Sequence, residues 1–89
     1  MVETRTFKIK NKLGLHARPA AKLVSVSTQY ESTIIFERNG DKADGKSLLS
    51  VLTLACPKGS RITIIADGND ASEAIEALGK IIEDKFGED

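Results

Sequence analysis

The chain has 89 residues, 40% of them hydrophobic and 4% aromatic, with 13 basic and 13 acidic side chains and no formal net charge. That length allows one domain, residues 1–89, around one modest core, which must be built from Ile, Leu, Val and Ala. The charge balance argues against a broad electrostatic nucleic-acid binder, which would show a basic excess, and no stretch approaches the roughly 20 apolar residues of a membrane span. The first ten residues, MVETRTFKIK, lack an apolar signal region. One cysteine cannot build a disulfide framework. A cytoplasmic monomer, not inserted in a membrane, is the expectation.

In chain order, residues 3–9 alternate Phe7 and Ile9 with polar residues, the pattern of a half-buried strand. Residues 11–15 form a loop carrying Gly14. From Ala17 to about Thr28 the period changes: Ala20, Leu23, Val24 and Ser27 follow the i, i+3, i+4, i+7 spacing of an amphipathic helix. Pro19 lies in its first turn, where a missing N–H does no harm. Residues 33–38 read as a second strand. Asn39-Gly40 is a strong hairpin signal and leads into a short strand at 41–44. Ser47 is placed to cap a short helix reaching about Thr53, which Pro57 and Gly59 stop. Residues 61–66 form the fourth strand. Asp70-Ala-Ser-Glu73 has the form of a capping box, opening a last helix to about Lys85 with Ala74, Ile75, Leu78, Ile81 and Ile82 on its buried stripe. The order β-α-β-β-α-β-α predicts an α+β sandwich with helices on one face of a single sheet.

The only histidine, His16, sits one residue before the first helix, in Gly14-Leu15-His16-Ala17-Arg18-Pro19. The first N–H groups of a helix lack intrahelical partners and its N-terminus carries partial positive charge, so that end is an anion site. Negative charge placed there is favoured by about 0.3–1 kcal/mol at a surface. This suits an imidazole that accepts and passes on a phosphoryl group. Arg18 adds a fork of donors matched to phosphate oxygens, Pro19 stiffens the turn, and Gly14 lets the backbone bend before the histidine. Taken alone, the short pattern fits a surface histidine near a helix cap with a solvated arginine better than it fits a phosphoryl site. One His and one Cys cannot complete a structural zinc site, and no nucleophile-elbow motif supports a hydrolase.

NKLGLHARPAAKLV resembles the active-site segment of the histidine-containing phosphocarrier (HPr) family of the bacterial phosphoenolpyruvate-dependent sugar phosphotransferase system. GKSLLSVLTLACPKGSRITIIADGNDASEAIEAL resembles that family's second signature and C-terminal half. The two motifs occur in the family's order and spacing and cover nearly the whole chain. The resemblance implies an open-faced β-sandwich and a carrier that is not an enzyme. It implies no cofactor or metal, with enzyme I and enzyme IIA components as partners. His16 matches the histidine phosphorylated on its ring Nδ1, and Arg18 the arginine that partners the phosphate. Ser47 matches the serine modified by HPr kinase/phosphorylase in bacteria having that regulator. Leu48, Leu49 and Leu52 match apolar positions that dock partner proteins. The chain departs from the family's pattern at Leu13, where many members place Asn, Ser or Thr, and at Cys56-Pro57, where Gly and an apolar residue are common. Cys56 is expected to pack as a small apolar side chain.

Residues 47–54 are apolar almost all round. Val51 and Leu54 are expected to face the core, leaving Leu48, Leu49 or Leu52 exposed for a partner; a more deeply buried helix is the alternative. Three function classes follow. The first is a sugar-branch phosphoryl carrier. The second is a regulatory carrier, acting through Ser47 or in the nitrogen-related branch that NKLG and FGED also resemble. The third is an α+β interaction module without chemistry. A related regulatory paralogue lacks the active histidine, so the presence of His16 disfavours a serine-only role.

Overall fold

The computed structural model describes residues 1–88. Four strands, β1 (Val2–Lys8), β2 (Thr33–Arg38), β3 (Asp41–Asp44) and β4 (Arg61–Asp67), form one antiparallel sheet in the order β1-β4-β2-β3. Three α-helices, α1 (Ala17–Ser27), α2 (Leu48–Leu52) and α3 (Ala71–Glu83), complete the open-faced α+β sandwich that the element order predicted. β4 runs between β1 and β2, pairing Phe7 with Ile62 on one side and Phe36 with Ile64 on the other.

Alternation along the strands separates the two sheet faces. Phe7, Ile34, Phe36, Ile62, Ile64 and Ala66 are buried in the core, together with Leu23 of α1, Val51 of α2 and Ile75, Leu78 and Ile82 of α3. Their neighbours along the strands point to the open face, where Thr6 and Thr63 lie opposite each other and share a hydrogen bond of 2.8 Å. Ile9, just past β1, is fully buried, and its backbone bonds to Ser60 and Gly59 extend the ladder by one residue. α3 packs closely on β1 because Gly79 has no side chain: a Cβ there would meet the Phe7 ring at 2.4 Å.

Two expectations about α3 are corrected. Asp70 stands at the N-cap position but makes no side-chain cap bond. Its carboxylate instead accepts from the backbone N–H groups of Glu31 and Ser32, at 2.9 and 3.0 Å, and from the Ser32 hydroxyl. It therefore fastens the loop entering β2. The helix also stops at Glu83, short of Lys85, because Lys85 and Phe86 both adopt φ of +56°. That reversal turns Phe86 into the core, 1% exposed, and Lys22 on α1 donates to its carbonyl. Ile81 is only partly buried, at the edge of the stripe.

Candidate functional site

α1 begins at the loop of residues 11–15, whose shape follows from two residues. Gly14 has φ +71°, and its Cα lies so close to the 56–57 backbone that a Cβ would come 2.4 Å from the Cys56 carbonyl oxygen. Leu15 N–H donates to that same oxygen at 2.7 Å. Asn11 is fully buried, and its side-chain NH2 donates to the Gly14 carbonyl at 2.7 Å. The loop is thus braced from inside and from the segment before β4.

His16 follows as the N-cap of α1, with extended backbone and no side-chain cap bond. Its carbonyl accepts the Ala20 N–H at 3.0 Å, which starts the helix. The N–H groups of Ala17 and Arg18 have no intrahelical acceptor, and Pro19, buried in the first turn, has none to offer. The imidazole lies in an open cleft of about 650 Å³ with Lys12, Leu13, Arg18, Gly87 and Glu88. Ring Nε2 faces the Glu88 carboxylate, 3.2 and 3.1 Å from its two oxygens. Nδ1 has no hydrogen-bond partner among the described residues. Arg18 is exposed and makes neither hydrogen bond nor ion pair among them. A ring nitrogen with a free lone pair, two unpaired helix N–H groups and an uncommitted guanidinium can together receive a small tetrahedral anion.

Sequence patterning did not find Asn11 or Glu88. Asn11 donates to Glu88 Oε1 at 3.0 Å as well as to Gly14. Partial burial works against the Glu88 carboxylate, but hydrogen bonds from His16 and Asn11 and the charges of His16 and Arg18 outweigh it and hold its carboxyl below the ordinary range. The only local signal was an acidic residue after Phe86-Gly87; its meaning depends on the chain reversal at Lys85 and Phe86.

Ser47 is the N-cap of α2, and its hydroxyl accepts the Ser50 N–H at 3.4 Å, as expected. The side chains of α2, which ends at Leu52, and of Leu54 just beyond it divide as the pattern suggested. Val51 and Leu54 are buried, Leu49 is 79% and Leu48 39% exposed, and Leu52 is partly buried against the core. Leu13 is also exposed, at 70%. Cys56 is buried as a small core side chain, and burial pushes its thiol pKa up against the opposing effects of Arg38 and Ser60. No cluster of three His, Cys, Asp or Glu side chains fit for a metal occurs among the described residues.

Residues 3–84 match the family described as "PTS HPr component phosphorylation site". The chain is 44% identical over 84 residues to phosphocarrier protein HPr of Cupriavidus necator, covering 94% of each chain. It is 45% identical over 83 residues to HPr-like protein Crh of Halalkalibacterium halodurans, covering 93% of this chain and 98% of that one. The crystal structure of HPr-C-His from Thermoanaerobacter tengcongensis superposes with a TM-score of 0.94 at 41% identity, covering 98% of both chains. With the sheet order, the histidine at the start of α1 and a match across almost the full length, the chain belongs to the HPr family of the phosphotransferase system, named for a phosphocarrier protein that is not a catalytic enzyme.

Proposed function

We propose that His16 accepts a phosphoryl group on Nδ1 from phospho-enzyme I and passes it to enzyme IIA components in sugar uptake. The observation that carries this reading is the free Nδ1 at the start of α1, beside the uncommitted Arg18. The N-terminal N–H groups of α1 and the Arg18 guanidinium then stabilise the added charge. The chain needs no cofactor or metal for this, because the donor supplies the phosphoryl group and the acceptor removes it. A single copy of the domain suffices. Leu48 and Leu49 offer apolar docking area, with Leu52 beneath them, and Ser47 stands at the head of that helix. In this reading a phosphate on Ser47 sets negative charge beside the docking area and weakens partner association.

The test is incubation with phosphoenolpyruvate, magnesium and enzyme I. One acid-labile, base-stable phosphoryl mass is expected on the parent and none on His16→Ala. Arg18→Ala should stay folded and transfer more slowly. A His16→Ala protein that takes the same label would overturn the assignment. Running the assay with enzyme I of the sugar and of the nitrogen-related branch assigns the branch: faster labelling by the nitrogen-related enzyme overturns the sugar-uptake reading.

A further inference from the structure

The Glu88 carboxylate is the middle link of a hydrogen-bonded chain that begins in the core and ends on the His16 ring. Asn11 is fully buried and has two amide hydrogens. One goes to the Gly14 carbonyl at 2.7 Å and the other to Glu88 Oε1 at 3.0 Å. Glu88 in turn meets His16 Nε2 with both oxygens. Its side chain is 19% exposed, against 36% for His16, so the carboxylate is the more sheltered partner. A carboxylate only accepts hydrogen bonds, so the ring must present a proton at Nε2. In the neutral imidazole the second nitrogen, Nδ1, then holds the lone pair.

We propose that Glu88 is a positioning residue for phosphoryl transfer: it fixes the orientation of the His16 ring, keeps the proton on Nε2, and balances the charge the ring gains when Nδ1 is phosphorylated. This rests on the reading of His16 as the acceptor. In the transfer step the Nδ1 lone pair forms the new nitrogen–phosphorus bond. The bond from phosphorus to the donor breaks, and its electron pair leaves on the donor. The Nε2 proton stays where it is, so the phosphorylated ring is formally an imidazolium. Glu88 then faces a full positive charge where it had faced a neutral N–H, and charge-assisted hydrogen bonds are the stronger kind. The interaction grows as the reaction proceeds, which is the condition for speeding it. The other charged side chains lining the cleft, Lys12 and Arg18, are both cationic, so Glu88 is the only anion there among the described residues.

Because His16 is the only histidine, ring-nitrogen NMR reads it without ambiguity. The experiment compares the parent, Glu88→Ala and Glu88→Gln at a pH where the ring is neutral, then measures phosphorylation by phospho-enzyme I. The parent is expected to show a protonated Nε2 and a free Nδ1. In Glu88→Ala both signals should move toward the averaged positions of a free imidazole, and phosphorylation should slow roughly tenfold, as for the loss of one hydrogen bond to a charged group. Glu88→Gln keeps an acceptor without the charge. It should hold the parent's ring signals and phosphorylate at a rate between the other two. Unchanged ring signals in a folded Glu88→Ala protein, or transfer at the parent's rate, would overturn the role of Glu88. Failure of the parent itself to be phosphorylated would instead overturn the assignment of His16 as acceptor. The ring signals test the Glu88 contact in either case.

Discussion

Replacing Gly14 with alanine adds one methyl group to the loop that sets up His16, and two independent penalties can be worked out for it. The first is conformational. Gly14 has φ +71°, and a non-glycine residue in the left-handed region costs roughly 1–2 kcal/mol. The second is steric. The new Cβ would lie 2.4 Å from the Cys56 carbonyl oxygen, 2.9 Å from Pro57 Cα and 3.1 Å from Pro57 C. All three are backbone atoms, so no rotamer change relieves the contact. The Cys56 oxygen is also the acceptor for Leu15 N–H at 2.7 Å, so moving it stretches a bond that anchors the loop. Overpacking of this kind costs about 1–3 kcal/mol. Together the two penalties come to about 2–5 kcal/mol, a large share of the roughly 5–15 kcal/mol that holds a domain folded. At about 4–8 °C per kcal/mol for a domain of this size, the melting temperature should fall by at least 8 °C. Thermal melts followed by circular dichroism measure it. A fall of less than about 3 °C would mean that the 56–57 segment yields freely, and the close-approach argument would be wrong.

At Ser47 the cap bond is long, at 3.4 Å, so Ser47→Ala should sit near the low end of cap losses, about 0.5 kcal/mol, with docking to enzyme I little changed. Ser47→Asp should keep the fold, because Asp is also a good cap, yet be phosphorylated on His16 more slowly; equal initial rates for the Asp variant and the parent would reduce Ser47 to a cap. Asp70 is held below the usual carboxylate range, first by the Ser32 hydroxyl and then by the Glu31 N–H, against an opposing effect of burial, with the Ser32 N–H adding a smaller contribution. Its carboxylate therefore stabilises the fold fully above about pH 4 and loses that contribution as pH falls through the lowered folded value. Asp70→Asn should melt below the parent at pH 7 and approach it at strongly acidic pH, as melts across that range would show; a gap independent of pH would contradict the charge assignment.

The order of strands and helices was legible because each element announces itself locally. The Phe7/Ile9 alternation, the Asn39-Gly40 turn and the Ala20-Leu23-Ser27 spacing each need only a few consecutive residues to be read. The same holds for His16 at the start of α1 and Ser47 at the start of α2, since capping is a property of the first turn. Asp70 shows where local reading stops. Its sequence context matches a cap, but Ser32, 38 residues away, takes the carboxylate. Gly79, inside α3, is the gap that seats the Phe7 ring, a role that nothing in its sequence neighbourhood signals. Glu88 is the clearest case: it meets His16 across 72 residues. That contact exists only because β4 lies beside β1, α3 packs across them, and the positive φ at Lys85 and Phe86 turns the chain back. Periodicity and turn chemistry act over a few residues and survive in the sequence. Which distant side chains share a hydrogen bond is decided by how whole elements pack, so it emerged only with the tertiary structure.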